Sequence, residues 1–166
     1  MMNKNTLFRL AIIMLLMVLL IPGCVPEGEG NITPRADLIF VVMDESGTPI
    51  PNAQVLLFPF RTPYEDYLTT NPDGDPNQGN TLDAEDIAVT NSLGEAIFAN
   101  RPLDGTSYAS GTTYIHQPNS IYFRVQAEYN SGFVTNDSND PATYRLAFPE
   151  LESGDIIREE IEVFVR

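Results

Sequence analysis

The stretch SIYFRVQAEY, residues 120–129, alternates in character with a period of two. Ile121, Phe123, Val125, Ala127 and Tyr129 fall on one face, while Arg124, Gln126 and Glu128 fall on the other; Tyr122 is the exception. That period belongs to a strand burying one side and wetting the other. The stretch predicts β structure, and the rest of the chain can be compared with it.

Downstream, residues 133–135 and 143–148 are shorter strand candidates, and residues 156–165 repeat the alternation. There Ile157, Ile161, Val163 and Val165 face one way, with Glu160, Glu162 and Phe164 opposite. Upstream, residues 87–90 and 95–99 flank Asn91-Ser92-Leu93-Gly94 and predict a hairpin. Residues 53–58 (AQVLLF) predict a strand closed by Pro59. Residues 36–43 (ADLIFVVM) are a near-continuous apolar run, short and β-branched enough for a buried strand. Between these two runs, residues 44–52 are dense in turn formers. No segment beyond the N-terminal apolar run shows sustained helical periodicity, so residues 60–86 are expected to form a long connection. Seven or eight short strands with turns between them predict an all-β chain folded as an antiparallel β-sandwich.

The N-terminus has a different character. Lys4 and Arg9 precede twelve consecutive apolar residues, 10–21, followed by Pro22, Gly23 and the only cysteine, Cys24. A helix crossing a bilayer needs roughly 20 apolar residues, so this run is short for a span. A basic start, a short apolar core and a small residue before the cut make a secretory signal peptide. With Cys24 directly after the cut, residues 20–24 resemble the lipobox of bacterial lipoproteins, although Pro22 departs from the usual pattern. The resemblance implies removal of residues 1–23 and attachment of lipid, palmitate among the acyl chains, to Cys24. Two or three acyl chains anchor firmly where one is marginal. Residues 24–35 then form a lipidated tether and residues 36–166 the folded domain. Glu27 and Glu29 are similar to acidic signals that direct some Gram-negative lipoproteins outward. The expected location is therefore the bacterial outer membrane, on its periplasmic face or at the cell surface.

The mature chain of 143 residues has the size of one domain. With Cys24 committed to lipid it has no disulfide, so packing must stabilise it. It keeps seven arginines and no lysine against 23 carboxylates, a formal charge of −16. So acidic a body repels phosphate backbones, which excludes nucleic acid as a natural partner.

A second resemblance spans residues 38–103. Asp44, Gly47, Pro49, Asn52, Ala53, Val55 and Leu57, followed by Thr90, Asn91, Gly94, Ala96 and Phe98, resemble the carboxypeptidase regulatory-like domain. The B-type repeats of collagen-binding adhesins and the transthyretin-like proteins share that pattern. The resemblance implies a single antiparallel Greek-key sandwich of about seven strands, prealbumin-like, with Gly47, Gly94 and Asn52 in turns that need positive φ. It implies no chemistry. The Lys–Asn cross-link of the adhesin repeats cannot form in a mature chain without lysine. The histidine sets of the transthyretin-like hydrolases and of the aromatic-ring dioxygenases of similar fold are missing, since His116 is the only histidine.

The candidates for function follow. His116, expected in a polar loop, is the one residue a Ser–His–Asp hydrolase would have to use, and no nucleophile-elbow pattern accompanies it. Arg101, Arg124 and Arg145 read as cross-strand ion-pair partners. Within the long connection, Asp73, Asp75, Asn77, Asp83, Glu85 and Asp86 offer oxygens of the kind calcium takes, in a spacing that matches an EF-hand loop only at its start. Tyr64, Tyr67, Tyr108 and Tyr114, expected in loops, suit recognition of a protein partner at the envelope. Without tryptophan, carbohydrate ranks below protein as a ligand. The sequence is read as a non-catalytic binding or structural module with its specificity in loops 60–86 and 99–119. Its rivals are a subunit of a surface assembly or adhesin pairing through an edge strand, and a hydrolase using His116.

Overall fold

A computed structural model describes residues 31–77, 84–137 and 139–166, which lie in one unit, Asn31–Arg166. Cys24, the signal peptide expected at residues 1–23 and Asp83 lie outside the described residues. Among the described residues eleven strands build three sheets, an all-β fold as expected, with more and shorter strands than the sequence suggests.

The first sheet has the order β11-β1-β4. Strand β1 (Arg35–Asp44) is central, which explains its near-continuous apolar sequence: Ala36, Leu38, Phe40 and Val42 enter the core, and Ile39 on the other face is also buried. Strand β4 (Glu95–Pro102) pairs with it antiparallel. Strand β11 (Ile156–Val165) pairs with it parallel, from Arg35 opposite Ile156 to Asp44 opposite Val165. This parallel pair is the one exception to antiparallel pairing among the described strands. A parallel pair needs a long crossover. Here β1 and β11 are the first and last strands, and the rest of the domain supplies it.

The second sheet has the order β3-β2-β7-β8, with β9 (Arg145–Leu146) also on β7. Strand β7 (Ile121–Tyr129) is the alternating stretch that opens the sequence reading, and it pairs with β2 (Gln54–Phe58). Strands β3 (Asp86–Val89) and β8 (Gly132–Thr135) flank them. The inner face of this sheet, with Val55, Leu57, Phe123, Val125 and Ala127, shares a core with Leu38, Phe40, Phe98 and Val163 of the first. The Phe40 ring meets Phe98 and Phe123 edge-on, with centroids 5.7 and 5.0 Å apart.

The outer face of the second sheet is not wet. Leu56 and Phe58 are fully buried there against Tyr64 and Tyr67, with Leu68, Tyr122 and Tyr144 packed around them. The cover is a ten-residue helix, α1 (Arg61–Thr70), where the sequence reading expects an uninterrupted connection. The helix escapes periodicity because its apolar stripe is only Tyr64, Tyr67 and Leu68, one face of barely three turns. Pro63 sits in its first turn, where the backbone donors have no helical partner to lose. This second core also explains Tyr122, the residue that breaks the alternation of β7.

The third sheet, β10-β6-β5, replaces most of the expected loop 99–119. Strands β5 (Gly105–Ser110) and β6 (Thr113–Pro118) form a hairpin turned at Gly111, φ 65°, and β10 (Leu151–Glu152) adds to β6. Strand β5 is largely exposed, so it carries no apolar alternation to announce it.

The turns behave as the resemblance implies: Gly47, Asn52 and Gly94 have φ of 81°, 60° and 76°. A Cβ on Gly94 would press into the Val42 carbonyl, so this turn needs glycine for space as well as for φ. Residues 32–35, read as the end of the tether, are tied into the fold. The Ile32 and Gly154 backbones join, and the Leu103 N–H donates to Pro34. No helix among the described residues is long and apolar enough to cross a membrane.

Candidate functional site

At the end of the sandwich where β2 gives way to α1, a small open cleft forms. Pro59 and Phe60 come from the β2–α1 junction, Glu85 from the entry to β3, Arg101 and Pro102 from the end of β4, and Asp104, Asn119 and Ser120 from the turns bounding the β5–β6 hairpin. The backbone holds these pieces together. The Glu85 N–H donates to the Leu57 carbonyl at 2.9 Å and the Asn119 N–H to the Asp104 carbonyl at 2.7 Å.

Arg101 organises the electrostatics. Its side chain is only 9% exposed and pairs with Glu85 through Nη2 and with Asp86 through Nη1, the latter at 3.3 Å. Its Nε has no hydrogen-bond partner, one of three such buried side-chain atoms among the described residues. Beside it the Phe60 ring is 59% exposed, although the neighbouring Phe58 is fully buried. The cleft thus joins an apolar ring, a fixed cation and several carboxylate oxygens.

The sequence-predicted residues are distributed differently from their reading. Tyr64 and Tyr67 are 2% and 0% exposed, and burial withdraws them from any partner surface. They stand on α1, where Tyr67 donates to Gln126 Oε1 at 2.8 Å and Tyr64 stacks on Tyr144 at 5.1 Å between centroids. Burial pushes the Tyr64 hydroxyl well above the usual phenol value. Tyr108 remains exposed on β5 and donates to Glu150 at 3.2 Å, and Tyr114 is half-buried on β6.

Of the six proposed calcium ligands, five lie among the described residues. Glu85 and Asp86 are engaged by Arg101, Asp75 accepts from the Asn77 N–H at 2.8 Å, and Asp83 lies outside the described residues. Among the described residues no group of three or more His, Cys, Asp and Glu is placed to hold a metal ion.

His116 is a buried strand residue, 3% exposed, rather than part of a polar loop. Its Nε2 lies 2.6 Å from the Leu103 carbonyl, which only accepts, so Nε2 carries a hydrogen. Its Nδ1 shares a 2.8 Å hydrogen bond with Ser107 Oγ. Both nitrogens are thus spent on tying β6 to β5 and to the end of β4.

Of the three arginines, only Arg101 pairs with carboxylates. Arg124 is 2% exposed and donates to the Asn136 and Pro72 carbonyls at 3.1 and 3.3 Å, and burial lowers its pKa. Arg145 donates to Ser120 Oγ at 2.9 Å. The cleft draws most of its lining from the two segments read as carrying specificity, 60–86 and 99–119, which supply Phe60, Glu85, Arg101, Asp104 and Asn119. That their ends meet is not legible in the sequence.

No family model matches this chain, and no curated protein matches it. Among solved structures, it is similar to the basal pilin SpaB of Lactobacillus rhamnosus GG, at 12% identity and a TM-score of 0.38, covering 81% of this chain and 98% of the pilin. It is also similar to a candidate carbohydrate-binding protein of Pseudomonas aeruginosa, at 13% identity and a TM-score of 0.35, covering 82% and 92%.

Proposed function

We propose that this chain is a lipoprotein of the cell envelope, held to the membrane through Cys24, whose β-sandwich binds a ligand or partner and catalyses nothing. The placement of His116 carries the non-catalytic part. A general base must reach a reacting proton, and here the only imidazole is buried with both nitrogens bonded to structural groups. The lipobox-like residues 20–24 support the anchor.

The test is equilibrium urea unfolding of the full chain and of His116→Ala in the same detergent. Leaving the Leu103 carbonyl and Ser107 unpartnered inside the fold is expected to remove about 1–3 kcal/mol with an unchanged denaturant slope. Unaltered stability would mean that the imidazole does not hold the fold, and the hydrolase reading would regain its ground.

A second reading has its own observation. Strand β11 is ten residues long and ends its sheet, with β1 on one side and, on the other, only a bridge from Val165 to Asn136 at its C-terminal end. Such an edge accepts an added strand. Arg158, Glu159, Glu160 and Glu162 place charge along it, which resists indiscriminate pairing and admits a partner of matching charge. Concentration-dependent oligomers in sedimentation experiments would favour this subunit reading.

A further inference from the structure

We propose that the open edge of β11 is a docking site for an extended, lysine- or arginine-rich strand of a partner protein, which adds to the first sheet beside residues 156–164. The inference rests on the reading of the chain as a subunit that pairs through an edge strand, and it names the chemistry of the partner.

The backbone decides the shape of the occupant. Strand β11 pairs with β1 along one side from Ile156 to Val165. On its other side, among the described residues, only the C-terminal end is engaged: Val165 bridges Asn136, and the Arg166 and Thr135 backbones exchange N–H···O bonds of 3.1 Å. The nine residues before that bridge leave their outward N–H and C=O groups open to solvent over about 30 Å. Edges are commonly blunted by being short, as the four-residue β3 is in the second sheet. An edge of this length is answered by an extended chain, whose own backbone supplies the matching donors and acceptors.

The side chains decide its charge. Alternation puts Ile156, Arg158, Glu160, Glu162 and Phe164 on the outer face of the sheet and Ile157, Glu159 and Ile161 on the other. Arg158 stands level with Asp37 of β1, so these two charges offset each other. Glu159, Glu160 and Glu162 stand level with Leu38, Ile39 and Val41, which cannot answer a carboxylate. All three glutamates are exposed, and none makes an ion pair or side-chain hydrogen bond among the described residues. Apolar side chains bound the run, with Ile156 71% and Phe164 52% exposed. Residues directly opposite in a ladder gain from unlike charges and lose from like ones. The complementary strand is therefore basic opposite residues 159, 160 and 162, and apolar opposite 156, 157, 161 and 164.

A second copy of this chain fits less well. Antiparallel pairing about Glu160 would match Arg158 with Glu162 and Ile156 with Phe164. It would also set Glu160 against itself and gather the glutamates of both strands around only two arginines.

The test is fluorescence anisotropy of labelled nine-residue peptides titrated with the full chain in nonionic detergent, at about 0.15 M salt to screen distant charges. The probes are Val-Val-Thr-Lys-Lys-Val-Lys-Thr-Val and its reversed sequence, for parallel and antiparallel addition. Controls replace lysine by glutamate, or keep the lysines and methylate one or the other alternate set of backbone nitrogens. Glu160→Lys/Glu162→Lys, at two exposed positions, is checked for folding by thermal unfolding. One lysine peptide is expected to bind and its glutamate form not to. Methylation of the set facing β11 is expected to abolish binding and methylation of the other set to spare it, with affinity about tenfold lower or worse in the double variant. Equal binding of both methylated forms, or an unchanged affinity in the variant, overturns the inference. If no lysine peptide binds, sedimentation separates the inference from the reading beneath it. Concentration-dependent oligomers then give the edge to a second copy and keep the subunit reading, whereas monomers overturn both.

Discussion

Asp44 shows how a residue of a turn motif can be tied into the fold's response to pH. Its carboxylate accepts from the Ser46 hydroxyl at 2.6 Å and from the Ser46 and Thr48 N–H groups at 2.9 Å, and Tyr129 donates to it at 3.1 Å. The Ser46 hydroxyl, followed by the Thr48 backbone, lowers its pKa from 3.8 to about 2. A folded-state value below the unfolded one means that the unfolded chain takes up the proton first as pH falls. The stabilisation is therefore complete above the unfolded value and is lost as the pH drops from about 4 towards 2. An NMR titration of the carboxyl carbons is expected to show Asp44 still ionised at pH 3, and Asp44→Asn is expected to flatten the acid limb of the stability curve. An Asp44 titrating near 3.8 would contradict these bonds. The residues of this turn were legible in the sequence because Asp, Gly, Pro and Asn act locally. His116 was not, because its burial depends on Leu103 and Ser107, which only the folded β5–β6 hairpin brings to it.

Helix α1 and the face it covers form a second, smaller core whose polar groups are incompletely paired. Tyr64 is central: its ring packs between Phe58, 5.7 Å away, and Tyr144, yet its hydroxyl has no partner. Ring and hydroxyl should therefore separate cleanly under mutation. Tyr64→Ala is expected to cost about 3–5 kcal/mol by opening a cavity, whereas Tyr64→Phe removes an unsatisfied buried hydroxyl and is expected to be neutral or stabilising. Chemical denaturation of the two variants measures both, and a Tyr64→Phe loss as large as that of Tyr64→Ala would contradict the packing described. Burial also raises the folded-state pKa of Tyr64, so its contribution is whole below the usual phenol value near 10 and is lost as pH rises beyond it. The strands on either side of the main core were legible because one buried face imposes a period of two. The helix and the β5–β6 hairpin were not, since each meets the core through only a few side chains. The cleft was less legible still, because Phe60, Arg101 and Asn119 become neighbours only when three separate strand ends meet.

Across the domain, the first and last strands lie side by side, and the Arg35 backbone bonds to Asp155 at 2.8 Å. The chain's formal charge of −14 and the acidic outer edge of β11 favour separate molecules over aggregates through self-repulsion. The cleft at Phe60 sits on strand ends drawn from all three sheets, a rigid frame for exposed loop residues. The measurement that bears most directly on this account is the intact mass of the full chain after expression in a bacterium and extraction from its membranes. The expected species begins at Cys24 and carries the added mass of a diacylglycerol and a third acyl chain, while Cys24→Ala loses the lipid and keeps residues 1–23. An unmodified Cys24 in a chain that still begins at Met1 would contradict the envelope anchor from which the functional reading proceeds.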